Sequence, residues 1–526
     1  MIAKDYQLFV LCILYLLNIL KDVSLKKMTK MTNFSRKIRK YPILAKWLFL
    51  IILILSFSSW IYLIFNPQLL INIFSQNWCK DFELNDNLSC GEESLFTKNK
   101  FPLFQQGNFK KAVDFFTKQR LNNQNNPEIL IYLNNAKLMQ QGKKSYTIAI
   151  VIPINQDARG IAEALLRGAA QFQEDFNKDP KNPGLKILVV NDENKPDTVD
   201  KLAEHLLSKN DVIAVIGHYT SEVTKAALPV YQKNKVVVIA PATAARKSLF
   251  SGKKVLPNFL FRTIPSVKLQ IPKLIEQLQL SQLAIKEKVA VFYNPNSTFS
   301  QSAFEEFRNQ LGASKIIEQD ISISKFMPRK ILNEVRQQGA KALILIPDGK
   351  VNHYSFKNTL NLIDVNEDQL PMAGYSTLYD ETILYKQNVK KLLIVVPWHP
   401  LSSPNKEMIQ RAKQLWGTAN IGVQTGISYD ATLVLTKALE KVSISASLPN
   451  QRLAIQQQLN NIKQVTGGAS GTISFDNDGD MIENTSQIVR VIPTKCAISG
   501  AIFVPMNYDL TKLDCQQMIK NSKINK

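Results

Sequence analysis

The sequence predicts an α/β protein with two doubly wound parallel-sheet lobes, preceded by one transmembrane helix and a short helical segment. Three observations predict it. Short β-branched apolar runs alternate with amphipathic stretches, first over residues 146–243 and again over 288–373, the pattern of strand–helix–strand crossover units. One long apolar run occupies residues 43–65, and between it and Tyr146 apolar residues recur at helical spacing. The 526 residues give room for three to four domains at about 150 residues each. With 45% hydrophobic and 21% charged residues, wholesale disorder, collagen and a polytopic transporter are excluded.

At the N-terminus, residues 1–42 form a basic tail. Residues 47–65 as a helix would be about 28 Å long, close to the bilayer core. Trp47, Trp60 and Tyr62 lie near its ends, and Lys26, Lys27, Lys30, Arg36, Lys37, Arg39 and Lys40 precede it. That asymmetry predicts a single pass through the plasma (inner) membrane, with the tail cytoplasmic and the bulk outside, in the periplasm. A cleaved signal peptide is the alternative, but no small-x-small site follows in Asn66-Pro67-Gln68-Leu69-Leu70. Met28 and Met31 are alternative starts.

The formal charge of +22 is concentrated in part at this end: residues 1–46 carry a net +8. The rest is spread out, with no basic stripe and interleaved aromatics, so no nucleic-acid partner is expected. Apart from Cys12, the cysteines follow the span as two local pairs, Cys79 with Cys90 and Cys496 with Cys515, which an oxidising compartment would let close as disulfides. Free buried thiols are the alternative. No C-x-x-C or H-E-x-x-H occurs and the four histidines are scattered, so no metal is expected.

Residues 66–145 are a linker and a helical hairpin. Phe109, Ala112, Val113 and Phe116 share one helical face; Asn126 is placed to cap a second helix with Pro127 in its first turn, and Ile129, Leu130, Leu133 and Ala136 continue it. The pair resembles one tetratricopeptide unit. A single unit makes no solenoid, and a spacer packing on its neighbour is the simpler reading.

In the first α/β series, strands are expected at residues 147–152, 186–190, 212–216 and 236–240, with helices at 159–177 and 198–208 and another running to Lys233. In the second, strands are expected near 288–293, 315–317, 342–346 and 371–373, with helices at 300–311 and 328–338. No turn carries G-x-G-x-x-G, a P-loop or G-x-S-x-G, so no nucleotide cofactor, no catalytic residues and no enzymatic activity are expected. What recurs at strand C-termini is small hydroxyl and amide residues: Asn155 and Gln156, Thr220 and Ser221, Thr243, and Ser376. That edge of a parallel sheet is where ligands sit, and a helix N-terminus beside a Ser hydroxyl suits a carboxylate.

Taken in order, several motifs resemble the type I periplasmic substrate-binding proteins of ABC transporters, in the leucine/isoleucine/valine-binding branch. They are Leu166-Arg167-Gly168-Ala169-Ala170, Asn191-Asp192, Val215-Ile216-Gly217-His218, Ile239-Ala240-Pro241-Ala242-Thr243, Phe261-Arg262-Thr263-Ile264-Pro265-Ser266, Val291-Phe292-Tyr293 with Phe299-Ser300, Tyr429-Asp430-Ala431, and Gly471-Thr472-Ile473-Ser474-Phe475-Asp476 with Gly479-Asp480. The resemblance spans residues 146–505. It implies two lobes joined by three crossings, closing on a small-molecule ligand and presenting it to an ABC permease and its ATPase. Lobe 1 would comprise 146–264 plus 397–468, lobe 2 would comprise 265–396 plus 469–510, and 511–526 would be a C-terminal tail.

By the same resemblance, Ser221 and the loop at Ala242 and Thr243 hold a ligand carboxylate, and Phe299 closes over the ligand. The family's acidic residue for the ligand ammonium is absent: the turn reads Gly374-Tyr375-Ser376-Thr377. Either Asp348 substitutes, or the ligand is not an α-amino acid. Asp476, Asp478 and Asp480 look like a calcium loop, but Gly479 falls at the fourth position where an EF-hand needs its glycine at the sixth, so a hairpin turn is expected. Two function classes remain: a solute receptor, or an interaction scaffold of the cell envelope resembling activators of cell-wall glycan polymerases.

Overall fold

The computed structural model describes residues 87–209, 211–250, 259–280, 287–417 and 421–513. The basic tail, the apolar run at 43–65, Cys12, Cys79, Cys515 and most of the C-terminal tail lie outside the described residues. Among the described residues no helix is long and apolar enough to cross a membrane. Cys90 and Cys496 are each disulfide-bonded.

The chain opens with β1 (Leu88–Ser89), α1 (Pro102–Gln105), α2 (Phe109–Asn122) and α3 (Pro127–Gln141). Asn126 caps α3 by accepting from the Ile129 N–H at 3.3 Å, Pro127 fills the first turn, and Gly142 ends the helix at φ 61°, the start and stop the sequence announces. The hairpin is not a detached spacer. α3 is buried along nearly its whole length, packed on one side by α2 and on the other by the first lobe. β1 pairs antiparallel with the edge of that lobe's sheet. Where β1 stops, the Asn135 amide takes over, accepting from the Ile187 N–H at 3.1 Å and donating to the Ile187 carbonyl at 2.8 Å. A side chain thus completes an edge whose backbone groups must be satisfied once buried.

The first α/β series follows as β2 (Ser145–Ile152), α4 (Arg159–Lys178), β3 (Gly184–Asn191), α5 (Val199–Lys209), β4 (Val212–Ile216), α6 (Ser221–Lys233), β5 (Val237–Ala240) and β6 (Leu260–Arg262). The second is α7 (Val267–Leu280), β7 (Lys288–Tyr293), α8 (Thr298–Leu311), β8 (Ile316–Asp320), α9 (Pro328–Gln337), β9 (Ala340–Ile346), α10 (His353–Asn366), β10 (Met372–Tyr375), α11 (Glu381–Leu384) and β11 (Leu392–Val396). Then come α12 (Lys406–Trp416), α13 (Val423–Leu439), α14 (Leu448–Asn461), β12 (Gln487–Pro493) and β13 (Ala501–Pro505).

The sheets run β1-β3-β2-β4-β5-β6 and β13-β12-β11-β10-β9-β7-β8. Within each, five parallel strands have the doubly wound order 2-1-3-4-5, which places a topological switch between β2 and β4 in one lobe and between β7 and β9 in the other. The sheets are mixed, where the sequence predicts wholly parallel ones: β1, β12 and β13 are antiparallel additions at the edges. The two-residue β1 is too short to show a period.

Helices α13 and α14 return to the first lobe. Gly168 of α4 lies so close to α13 that a Cβ would sit 2.1 Å from the Thr425 carbonyl oxygen, so only glycine fits there. The chain crosses between lobes after β6, after β11 and again before β12. Two acids tie the last crossing. Asp430 accepts from the Ala469 and Ser470 N–H groups at 2.5 and 3.1 Å. Asp480 pairs with Arg262 of β6, whose Nε is 2.7 Å away. The calcium look-alike is the turn that presents Asp480: the Gly479 N–H donates to the Asp476 carbonyl at 2.9 Å, with Gly479 at φ 79°.

Candidate functional site

Loops at the C-terminal ends of both sets of parallel strands line one cleft between the lobes. The cavity between them has a volume of about 40 Å³, within some 520 Å³ of atom-free space including its mouth. The inner volume is room for about three waters, well below that of a typical small-molecule site.

From lobe 1 the wall is built by the turn after β4 (Tyr219, Thr220, Ser221, Glu222), by Ala242 and Ala244 after β5, and by Ile264 after β6. Lobe 2 contributes Phe299 after β7, Gly349 after β9 and Ser376 and Thr377 after β10. Pro397 of the second crossing and Val423, Gln424 and Ile427 at the start of α13 complete it. The first helical turn of α6 is thus presented to the cavity with its positive dipole end. Phe299 stands edge-on to Tyr375, ring centroids 4.9 Å apart, which fixes its orientation.

Of the residues singled out from sequence, Thr220, Ser221, Ala242, Phe299 and Ser376 come together in this wall. Four do not. Asn155 holds the turn before α4, accepting from the Ala158 N–H at 2.8 Å while its Nδ2 donates to the Glu193 carbonyl at 3.0 Å. Gln156, beside it, is exposed and lies outside the wall. Thr243 turns its hydroxyl inward to Thr224 Oγ1 at 2.8 Å, so only its neighbours Ala242 and Ala244 reach the cavity. Asp348 is fully buried and engaged: Oδ2 accepts from Asn294 Nδ2 at 2.7 Å, and Oδ1 accepts from the Val351 and Asn352 N–H groups at 3.0 and 3.2 Å. It shapes the turn before α10 and has no ligand-facing oxygen to spare. Lys350 pairs elsewhere, with Asp380 at 2.7 Å.

The residue missed from sequence is Glu222. Its Oε1 accepts from Ser297 Oγ and from the Phe299 N–H, the latter at 3.1 Å, so a lobe 1 carboxylate sits at the N-terminus of a lobe 2 helix. Its Oε2 is buried without a hydrogen-bond partner, as is Thr377 Oγ1 in the opposite wall. Burial raises the Glu222 pKa above the ordinary carboxylate range, and Ser297 and the Phe299 N–H partly offset that. Further bonds cross between the lobes: Asn194 Nδ2 to the Gly349 carbonyl at 2.9 Å, the Arg246 N–H to Ser302 Oγ at 2.8 Å, and Lys350 Nζ to the Asp157 carbonyl at 2.9 Å. The described conformation is therefore closed.

Other motifs are scaffold. His218 is buried between Asp192 Oδ2 at 2.7 Å and Tyr231 Oη at 3.2 Å, away from the cavity wall. Asn191 fixes the loop after β2 through the Ile154 N–H at 2.8 Å. Among the described residues no group of His, Cys, Asp and Glu is arranged to hold a metal ion.

Two doubly wound lobes that meet strand-ends-first over one cavity define a two-lobed binding protein. The chain belongs to the periplasmic binding protein family, whose profile matches residues 145–495; that family is non-enzymatic. The fold is shared with a leucine-binding protein from Thermotoga maritima, at TM-score 0.56 and 17% identity over 68% of this chain and 97% of that one. It is shared too with a branched-chain amino acid transporter substrate-binding protein from Streptococcus pneumoniae, in complex with isoleucine, at TM-score 0.55 and 15% identity over 69% and 100%. An amino acid binding protein from Pseudomonas aeruginosa is 24% identical over 186 residues, 34% of this chain and 48% of that protein. The chain thus matches about half the length of this curated relative.

Proposed function

We propose that the protein is a membrane-anchored extracytoplasmic receptor of an ABC importer, which closes its two lobes around a small polar ligand (an amino acid, an amide or a related solute) and presents it to a permease and its ATPase. The observation that carries this reading is that one cavity is lined from lobe 1 by Glu222 and from lobe 2 by Thr377, each with a buried, unpartnered polar atom, Oε2 and Oγ1. Buried polar atoms without partners are costly in a fold that has no use for them. The names of the relatives, and the apolar run at 43–65 behind a basic tail, support the solute class and the anchor. The hairpin at 109–141 serves as a spacer bonded to lobe 1 rather than as a peptide groove.

A second reading, an envelope interaction scaffold that no longer takes a solute, draws on the small inner volume and the closed lobes. A thermal-shift screen of the full-length protein against amino acids, amides, short peptides and urea-like solutes separates them. A receptor gains stability as RT ln(1 + [L]/Kd), so at least one solute class must raise the melting temperature. A flat response across the whole screen sinks the receptor reading and leaves the scaffold.

A further inference from the structure

Among the described residues lining the cavity, Glu222 is the sole carboxylate, and no Lys, Arg, His or Asp shares the wall. The two oxygens of its carboxylate are in different situations. Oε1 is committed to lobe 2 through Ser297 Oγ and the Phe299 N–H. Oε2 is buried and takes no hydrogen bond. The cavity that Glu222 lines is shared with the rings of Tyr219 and Phe299 and the apolar side chains of Ile264 and Ile427. An anion in this cavity would meet a carboxylate with no lysine or arginine to offset it, whereas a cation would neutralise that carboxylate in surroundings that weaken competition from water. The turn at Ser376, where a lobe 2 acid would stand in a related receptor, offers only hydroxyls.

We propose that Glu222 is the cation-recognising group of the cleft: Oε2 accepts N–H bonds from a ligand ammonium or amidinium while Oε1 clasps lobe 2. Closure and recognition of ligand charge are thereby carried out by one carboxylate on lobe 1. This rests on the receptor reading above and specifies its ligand as a small molecule with a cationic nitrogen and an apolar body. The two oxygens give separable predictions, because Ser297 touches only the clasp.

The test is calorimetry on the full-length protein with three probes that share one carbon skeleton: L-leucine, 3-methylbutylamine, which keeps only the amine, and 4-methylpentanoate, which keeps only the acid. The parent binds leucine and the amine at least tenfold more tightly than the acid. Glu222→Gln, which keeps an oxygen for the clasp, weakens both amine-bearing probes at least 30-fold, loses the preference over the acid, and melts within a few degrees of the parent. Ser297→Ala loosens the clasp, so it weakens the probes by a common factor and preserves their ranking. Preference for the acid by the parent, or unchanged leucine affinity in Glu222→Gln, overturns the proposal. If none of the three probes binds, the cation assignment falls, and the wider solute screen alone decides whether the receptor reading outlives it.

Discussion

Gly349 of lobe 2 rests directly on Thr220 of lobe 1: a Cβ on Gly349 would lie 2.5 Å from Thr220 Cγ2. Its carbonyl accepts from Asn194 Nδ2 of lobe 1 at 2.9 Å. The lobes therefore close at a point where backbone meets a short, branched side chain that has nowhere to retreat, since Thr220 Oγ1 is itself held by Asn194 at 2.9 Å. A side chain at position 349 would act as a wedge.

Gly349→Val should hold the cleft open without disturbing either lobe. Forcing bulk into a packed contact costs about 1–3 kcal/mol, which here falls on closure, so affinity for any closing ligand should drop about 5- to 150-fold. Small-angle scattering should show a larger radius of gyration for the variant than for the parent. Identical scattering curves and equal affinity would mean that this contact does not govern closure.

Asp348→Asn should act on stability and not on ligand choice. The carboxylate holds the Asn294 amide and two backbone N–H groups, and a hydrogen bond to a charged group is worth about 1.5–3 kcal/mol. Denaturant unfolding should therefore register a loss of that order, with ligand ranking unchanged. Loss of amine-bearing ligands alone, at parental stability, would return Asp348 to the binding site.

Asp430 gives a pH dependence with a defined sign. Burial pushes its pKa from 3.8 up to about 7, against the opposing pull of Ser470 and Ala469. Between those values the unfolded chain is ionised and the folded one protonated, so this group's contribution to stability falls as pH rises through that window. Asp430→Asn carries no such ionisation. The variant should gain on the parent in melting temperature between pH 4 and pH 7.5; melting curves that stay parallel across that range would contradict the assignment.

The anchor is tested by topology. Protease added to spheroplasts should remove everything beyond about Asn66, the end of the apolar run, leaving only the tail and span. A protected C-terminal portion would place the lobes on the wrong side of the membrane.

The architecture of the lobes was legible because buried parallel strands read as short apolar runs, and because each strand's end is marked by a change to small polar residues. That logic pointed to Thr220, Ser221 and Ser376, which line the cavity; Phe299 was pointed to only by the family resemblance. It failed where the outcome depends on a side-chain direction or a distant partner. Thr243 has the right chemistry, but its hydroxyl turns to Thr224. Asn155 and Asp348 sit at strand ends as expected, yet their oxygens are used by their own loops. Glu222, in the first turn of α6, reads as an ordinary acid at a helix N-terminus; its partners Ser297 and Phe299 are more than 70 residues away and carry no local signal. Likewise Asn135 looks like a polar residue on an exposed helix, and only the end of β1 explains why it is buried.

We propose that Ser221 on one lobe and Phe299 on the other close on the same solute. Calorimetric titration of a solute that raises the melting temperature, into the parent, Ser221→Ala and Phe299→Ala, tests it most directly. Losing one hydrogen bond to a charged ligand group costs about 1.5–3 kcal/mol, so Ser221→Ala should weaken binding roughly 10- to 150-fold, and Phe299→Ala should weaken it as well by uncovering the ligand's apolar surface. Parental affinity in both variants would show that the solute binds elsewhere and that the cleft between the lobes is not the site.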